Sequence, residues 1–182
     1  MPRLFFAIDL PEELKEPLAP ATLSLRNLGR HVRPVGRHAF HLTLLFLGEQ
    51  PEEILPDLSA IGADAVAAAR PCRLALGPPG FFSRVSFLTL IGEIETLSVV
   101  SGVLADACSG YLDRPETRPF KAHVTIARHK KNVKPNEKEQ IRETFSPFEG
   151  RSWVTDELIL FKSDLTPKGA IYTALERFPF GG

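Results

Sequence analysis

Two tetrapeptides carry the residue types from which acid-base chemistry on a phosphate can be built, His41-Leu42-Thr43-Leu44 and His123-Val124-Thr125-Ile126. In an extended strand successive side chains alternate between faces, so each motif sets an imidazole and a hydroxyl on one side and two apolar residues on the other. Imidazole titrates near neutrality, which lets one ring accept a proton while a second, protonated, donates one. The hydroxyls of Thr43 and Thr125 are suited to hydrogen-bonding the nonbridging oxygens of a phosphate held between the rings. Such chemistry needs no covalent nucleophile, metal or cofactor. Arg128 closes the second motif with the side chain best matched to a phosphate. Five residues past His123, it falls on the opposite face under strict alternation, unless a twist or bulge brings it round.

The remaining histidines, His31, His38 and His129, have no threonine two residues on and are read as loop residues. A zinc site from His31, His38 and His41 would need a spacing that matches none of the usual ligand patterns. Phosphate-loop, nucleophile-elbow and dinucleotide-binding glycine motifs are absent. Lys162-Ser163-Asp164-Leu165 lacks the glycine of the ATP-dependent nucleic-acid ligase signature. ATP-driven ligation is therefore disfavoured.

The elements that must position these residues show a repeat. Residues 3 to 9 read as a strand, followed by a helix to about Gly29 that Pro20 is expected to break. Residues 39 to 47 form a strand ended by Gly48, and Pro51 to Arg70 a second helix. The order then recurs: a strand over 84–91, a helix over 95–112, a strand over 120–128 and a short helix over 135–145. Leu4 to His41 spans 37 residues and Val85 to His123 spans 38, so the motifs sit at equivalent places in a duplicated frame. Two final strands, 157–162 and 170–178, flank a turn at Thr166-Pro167-Lys168-Gly169. The expected fold is α+β, one domain over residues 1–182, bilobal, with antiparallel sheets around a central groove and a pseudo-twofold relating the halves.

With 182 residues, 43% of them apolar, the chain can bury a core without staples. Its longest apolar runs are far too short for a membrane span, and its start lacks the pattern of a signal peptide. The expectation is a cytoplasmic monomer with no membrane association and no obligate protein partner. Cys72 and Cys108 lie in apolar patterns and read as reduced core thiols. The 22 basic residues balance the 22 acidic ones, yet the charge is segregated. Arg26, Arg30, Arg33 and Arg37 have no acid among them between residues 26 and 41. Residues 118–142 hold eight bases, including Arg118, Lys121 and Lys130, against Glu137 and Glu139. If the two segments converge they suit a polyanion such as RNA; otherwise they are two solvated loops.

Taken in order along the chain, these residues resemble the two-histidine phosphoesterase superfamily, and within it the bacterial and archaeal RNA 2',3'-cyclic phosphodiesterases, also called 2'-5' RNA ligases. The resemblance runs from Arg3-Leu4-Phe5-Phe6-Ala7-Ile8 through His41 to Glu49, Gly80-Phe81 and Arg118-Pro119-Phe120, and on through His123 to Arg128, Leu160 to Ser163, and Pro167 to Tyr172. It implies a bilobal α+β fold and metal-independent opening of a terminal ribose 2',3'-cyclic phosphate to a 2'-phosphate. The reverse-type joining of a cyclic phosphate end to a 5'-hydroxyl would need no ATP. The family's motif residues map onto His41, Thr43, His123, Thr125 and Arg128, with His41 assigned as acid toward the leaving oxygen and His123 as base toward water. The tryptophan common before the first motif is absent, and His31-Val32-Arg33-Pro34 stands in its region. The rival readings are a phosphodiesterase of small cyclic nucleotides or 2'-5' linked oligonucleotides, and a noncatalytic RNA- or nucleotide-binding module.

Overall fold

Strands and helices build the fold in a computed structural model that describes residues 1–112, 119–166 and 169–181. Arg118 of the second basic segment and Pro167 and Lys168 of the final turn lie outside the described residues. In chain order the elements are β1 (Arg3–Asp9), α1 (Glu12–Ser24), β2 (Val32–Pro34), β3 (His41–Glu49), α2 (Leu55–Val66), β4 (Cys72–Phe82) and β5 (Val85–Gly92). They continue with α3 (Ile94–Ala107), β6 (His123–His129), α4 (Pro135–Phe145), β7 (Ser152–Thr155), β8 (Glu157–Thr166) and β9 (Gly169–Pro179).

Three sequence expectations need correction. α1 runs unbroken through both Pro17 and Pro20. Each proline removes a bond to the carbonyl four residues back, but Glu13 and Glu16 are exposed, so water can take the place of the lost donors. Gly48 does not end its strand; it lies within β3 at φ 78°, the left-handed region open to glycine, where the register against β1 shifts. β4 lies outside the expected elements altogether. Its Gly77-Pro78-Pro79-Gly80 reads as a breaker, yet the strand accommodates it at a register shift between Leu76 and Pro79.

Two antiparallel sheets result, ordered β3-β1-β8-β9 and β2-β6-β5-β4-β7. In the first, β1 pairs with β3; in the second, β5 pairs with β6, which is the repeated unit. The fold is thus α+β, two duplicated strand-helix halves around a groove. The repeat is not strict. β2, inside the first unit, crosses over to pair with β6 of the second.

One core cluster spans both halves, with Leu4, Phe6 and Ile8 of β1, Leu18 of α1, Leu58 of α2, Leu97 and Leu104 of α3, Val124 of β6 and Ile141 of α4. Burying each such side chain is worth about 1.5–3 kcal/mol. The opposite face of β1 forms a separate small cluster, Phe5, Ala7, Ile159 and Phe161 with Tyr172 against it, which floors the groove. Cys72 and Cys108 are free and buried, and burial pushes both thiols up to about 11. Among the described residues no helix is long and apolar enough to cross a membrane.

Candidate active site

β3 and β6 pack against each other, and each carries its His-x-Thr motif at its start. The burial patterns of the two strands coincide residue for residue through the first seven positions. His41, Thr43, His123 and Thr125 are half-buried on the groove side, while Leu42 and Val124 are fully buried behind them. Among the described residues neither threonine hydroxyl has a hydrogen-bonding protein partner, which leaves both available to a ligand.

The coincidence continues past the motifs because both strands bulge at the same step. Phe6 opposes Leu45 and Ala7 opposes Thr43, so Leu44 is the extra residue of β3. Ser86 opposes Ala127 and Phe87 opposes Thr125, so Ile126 is the extra residue of β6. An extra residue inverts the alternation beyond it. Leu44 and Leu45 are therefore both buried, as are Ile126 and Ala127, and Phe46 and Arg128 emerge exposed on the side of the histidines. This is how Arg128 comes to the groove despite its odd spacing from His123. A bulge leaves backbone groups without ladder partners, and here the carbonyls concerned are satisfied from afar. The Ser101 hydroxyl of α3 donates to the Leu44 carbonyl at 2.8 Å, and the Val35 amide, just past β2, donates to the Ile126 carbonyl at 2.9 Å.

Each imidazole is held by the carbonyl two residues upstream. His123 Nδ1 lies 2.7 Å from the Lys121 carbonyl, which places its proton there and leaves Nε2 as the free, proton-accepting nitrogen. His41 makes the corresponding bond with Ala39. Aromatic rings wall both histidines. His41 sits 4.9 Å from the Phe5 ring and meets Tyr172 edge-on at 5.0 Å; His123 meets Phe87 at 5.1 Å and Phe82 at 5.5 Å. Gly80 pairs across the ladder with Phe87, and a Cβ there would overlap that ring, so glycine at this place leaves room for Phe87 to meet His123 edge-on.

Burial pushes His41 down to about 4, against the Ala39 carbonyl, which favours the protonated ring, and with the help of positive charge on Arg128, His123 and Lys15. The same interactions show that the two histidines and Arg128 share one electrostatic neighbourhood. Lys15 is itself buried and ion-paired at 2.7 Å with Asp9, the cross-strand partner of His41, and at 3.2 Å with Glu12. The helical spacing of Glu12 and Lys15 marks only a surface ion pair; the burial of Lys15 follows from its bond to Asp9 at the end of β1. Phe46 was legible in principle: it stands in the first motif strand where Arg128 stands in the second, and the Arg3 guanidinium lies 5.4 Å from its ring centroid.

His129 is not a loop residue as expected. It is the last residue of β6, buried, and its Nε2 is 2.8 Å from the Ser86 hydroxyl. His31 pairs at 2.9 Å with Glu137 of α4 rather than with His38 or His41. Among the described residues no three His, Cys, Asp or Glu side chains are grouped to hold a metal ion.

With this geometry in place, the comparisons with known proteins agree. The family model of the 2'-5' RNA ligase superfamily matches residues 10–167. An RNA 2',3'-cyclic phosphodiesterase of Thermus thermophilus is 36% identical over 194 residues, covering 99% of this chain and 91% of that protein. The crystal structure of TT0787 of the same organism superposes with a TM-score of 0.80 at 34% identity, over 99% of this chain and 98% of that one. Escherichia coli LigT complexed with 3'-AMP superposes with a TM-score of 0.75 at 28% identity, over the whole of both chains.

Proposed function

The chain belongs to the 2'-5' RNA ligase superfamily, and from that premise we propose that it opens the 2',3'-cyclic phosphate at an RNA end to a 2'-phosphate, using neither metal nor ATP. The relatives named RNA 2',3'-cyclic phosphodiesterase support the reaction, and the LigT complex with 3'-AMP supports a nucleotide ligand. The observation that carries the reading is the paired arrangement itself: two His-x-Thr strands, bulged at the same step, around one groove.

In this reading the cyclic phosphate lies between the rings. His123, whose Nε2 is free, takes the proton of the attacking water, and His41 delivers one to the departing 3'-oxygen. Thr43, Thr125 and Arg128 hold the phosphoryl oxygens as negative charge grows on them. His41 must be charged to act as the acid, although in the free protein burial and nearby positive charge hold it neutral at neutral pH. The anionic substrate offsets that positive charge and favours protonation of the ring, so the acid is armed by the ligand it serves. Run toward synthesis, the same groups would activate a 5'-hydroxyl in place of water and form a 2'-5' bond, driven by the strained ring.

The test is an RNA oligonucleotide ending in a 2',3'-cyclic phosphate, incubated with the protein and a chelator but no ATP. The expected product carries a 2'-phosphate. An untouched end on RNA that still binds would make the protein a binding module, and strong inhibition by the chelator would require a metal.

A further inference from the structure

β2 brings Arg33 directly opposite Arg128, for the ladder pairs Val32 with His129, Arg33 with Arg128 and Pro34 with Ala127. Directly opposed residues of an antiparallel pair project from the same face, about 5 Å apart at Cβ. Val32, Ala127 and His129 are buried, whereas Arg33 and Arg128 are both exposed, so the two guanidiniums leave the ladder together on the groove side. Like charges so placed repel and weaken the pairing. Arg37, from the same segment as Arg33, binds Glu12 at 2.7 Å, and Arg142 binds Glu139 at 3.3 Å. Among the described residues no carboxylate pairs with Arg33 or Arg128. Two opposed, uncompensated arginines beside the histidine pair call for an anion with more than one phosphate.

We infer that Arg33 forms a subsite for the phosphodiester immediately upstream of the reacting phosphate. This rests on the proposed reaction and assigns Arg33 to the RNA chain beyond its terminal nucleotide, a contact that a free mononucleotide does not make. Arg128 then serves the cyclic phosphate near His41, and Arg33, one strand further out, takes the next phosphate along the chain. β2 is the edge of its sheet, so the RNA leaves the groove there, toward the exposed Lys130 and Lys131 that follow β6. A guanidinium makes two parallel hydrogen bonds to a phosphate, which a lysine cannot reproduce.

Three substrates test the subsite: a nucleoside 2',3'-cyclic phosphate, a dinucleotide with the same cyclic end, and that dinucleotide with an uncharged methylphosphonate link. For the unaltered protein kcat/KM should be higher on the charged dinucleotide than on the methylphosphonate by about tenfold, an advantage that shrinks as salt rises. In Arg33→Ala the ratio between the two dinucleotides should collapse toward one, and in Arg33→Lys only part of it should return. Equal rates on both dinucleotides in the unaltered protein, or an Arg33→Ala loss of the same factor on all three substrates, would overturn the subsite. If the unaltered protein opens none of the three, the proposed reaction fails instead. The subsite is then scored by equilibrium binding of the charged and uncharged dinucleotides ending in a 2'-phosphate, where Arg33→Ala should erase the difference.

Discussion

In the proposed reaction the His41 ring is neutral in the free protein and carries a proton once the phosphate is bound, and its surroundings suit both states. Phe5 and Tyr172 pack against it, the Ala39 carbonyl orients it, and Arg128 disfavours its protonated form. His123 has its own carbonyl and its own aromatic wall but faces the groove from the other strand. If each ring moves a proton in the same step, replacing either should be nearly as damaging as replacing both. His41→Ala and His123→Ala are each expected to lower kcat by about 100- to 10,000-fold. Thr43→Ala and Thr125→Ala, each removing one hydrogen bond to a charged oxygen, should be milder, on the order of tenfold. Steady-state rates on a cyclic-phosphate end check these, and near-full activity in either histidine variant would sink the paired mechanism.

At the scale of elements the bulges matter most. Without an extra residue at Ile126, Arg128 would turn into the core and His129 would turn out. The bulge of β3 is supported by α3, a helix of the other repeat, through the buried bond from Ser101 to the Leu44 carbonyl. Ser101→Ala leaves that carbonyl without its partner, at a cost of about 1–3 kcal/mol. Urea denaturation should show that loss, and kcat/KM should fall with it because His41 and Thr43 lie just before the bulge. An unchanged midpoint and unchanged rate would mean that the strand holds its shape without α3.

Across the whole molecule, burial has left ionisable groups whose protons report folding. His41 is pushed down to about 4 and His129 is lowered, the latter by burial against the opposing pull of Glu137. An unfolded histidine titrates near 6.5, so below that pH the unfolded chain binds protons that the folded one refuses. Stability should therefore decline as pH falls from about 6.5 toward 4. Glu137 acts further down: burial raises its pKa, but the Lys134 amide and His31 outweigh this and leave it lowered, so its contribution is lost as pH falls below the ordinary carboxylate value. Melting temperature measured from about pH 7 to 4 should fall throughout, and His41→Gln should flatten the upper part of the decline. A flat profile in the unaltered protein would refute the burial of His41 as a neutral ring.

Much of this was legible along the chain. The spacing of the two motifs, the repeat that contains them, β1 and α4 all follow from local alternation and helical periodicity, which depend on neighbours a few residues away. Arg128, by contrast, could be named from the sequence as a phosphate-seeking side chain but not assigned to a face. Its direction hangs on the bulge at Ile126, whose carbonyl is bonded by the Val35 amide, and on the pairing of Arg33 with Arg128 across two segments distant in sequence. The convergence of the two basic segments was likewise open until β2 crossed from one repeat to the edge of the other. Residue types and their periods set which groups could do the chemistry. Which face they share, and which charges meet, is decided by long-range pairing, because one extra residue in a ladder reverses every side chain beyond it, and the doubled apolar pairs Leu44-Leu45 and Ile126-Ala127 become bulges only against their partner strands.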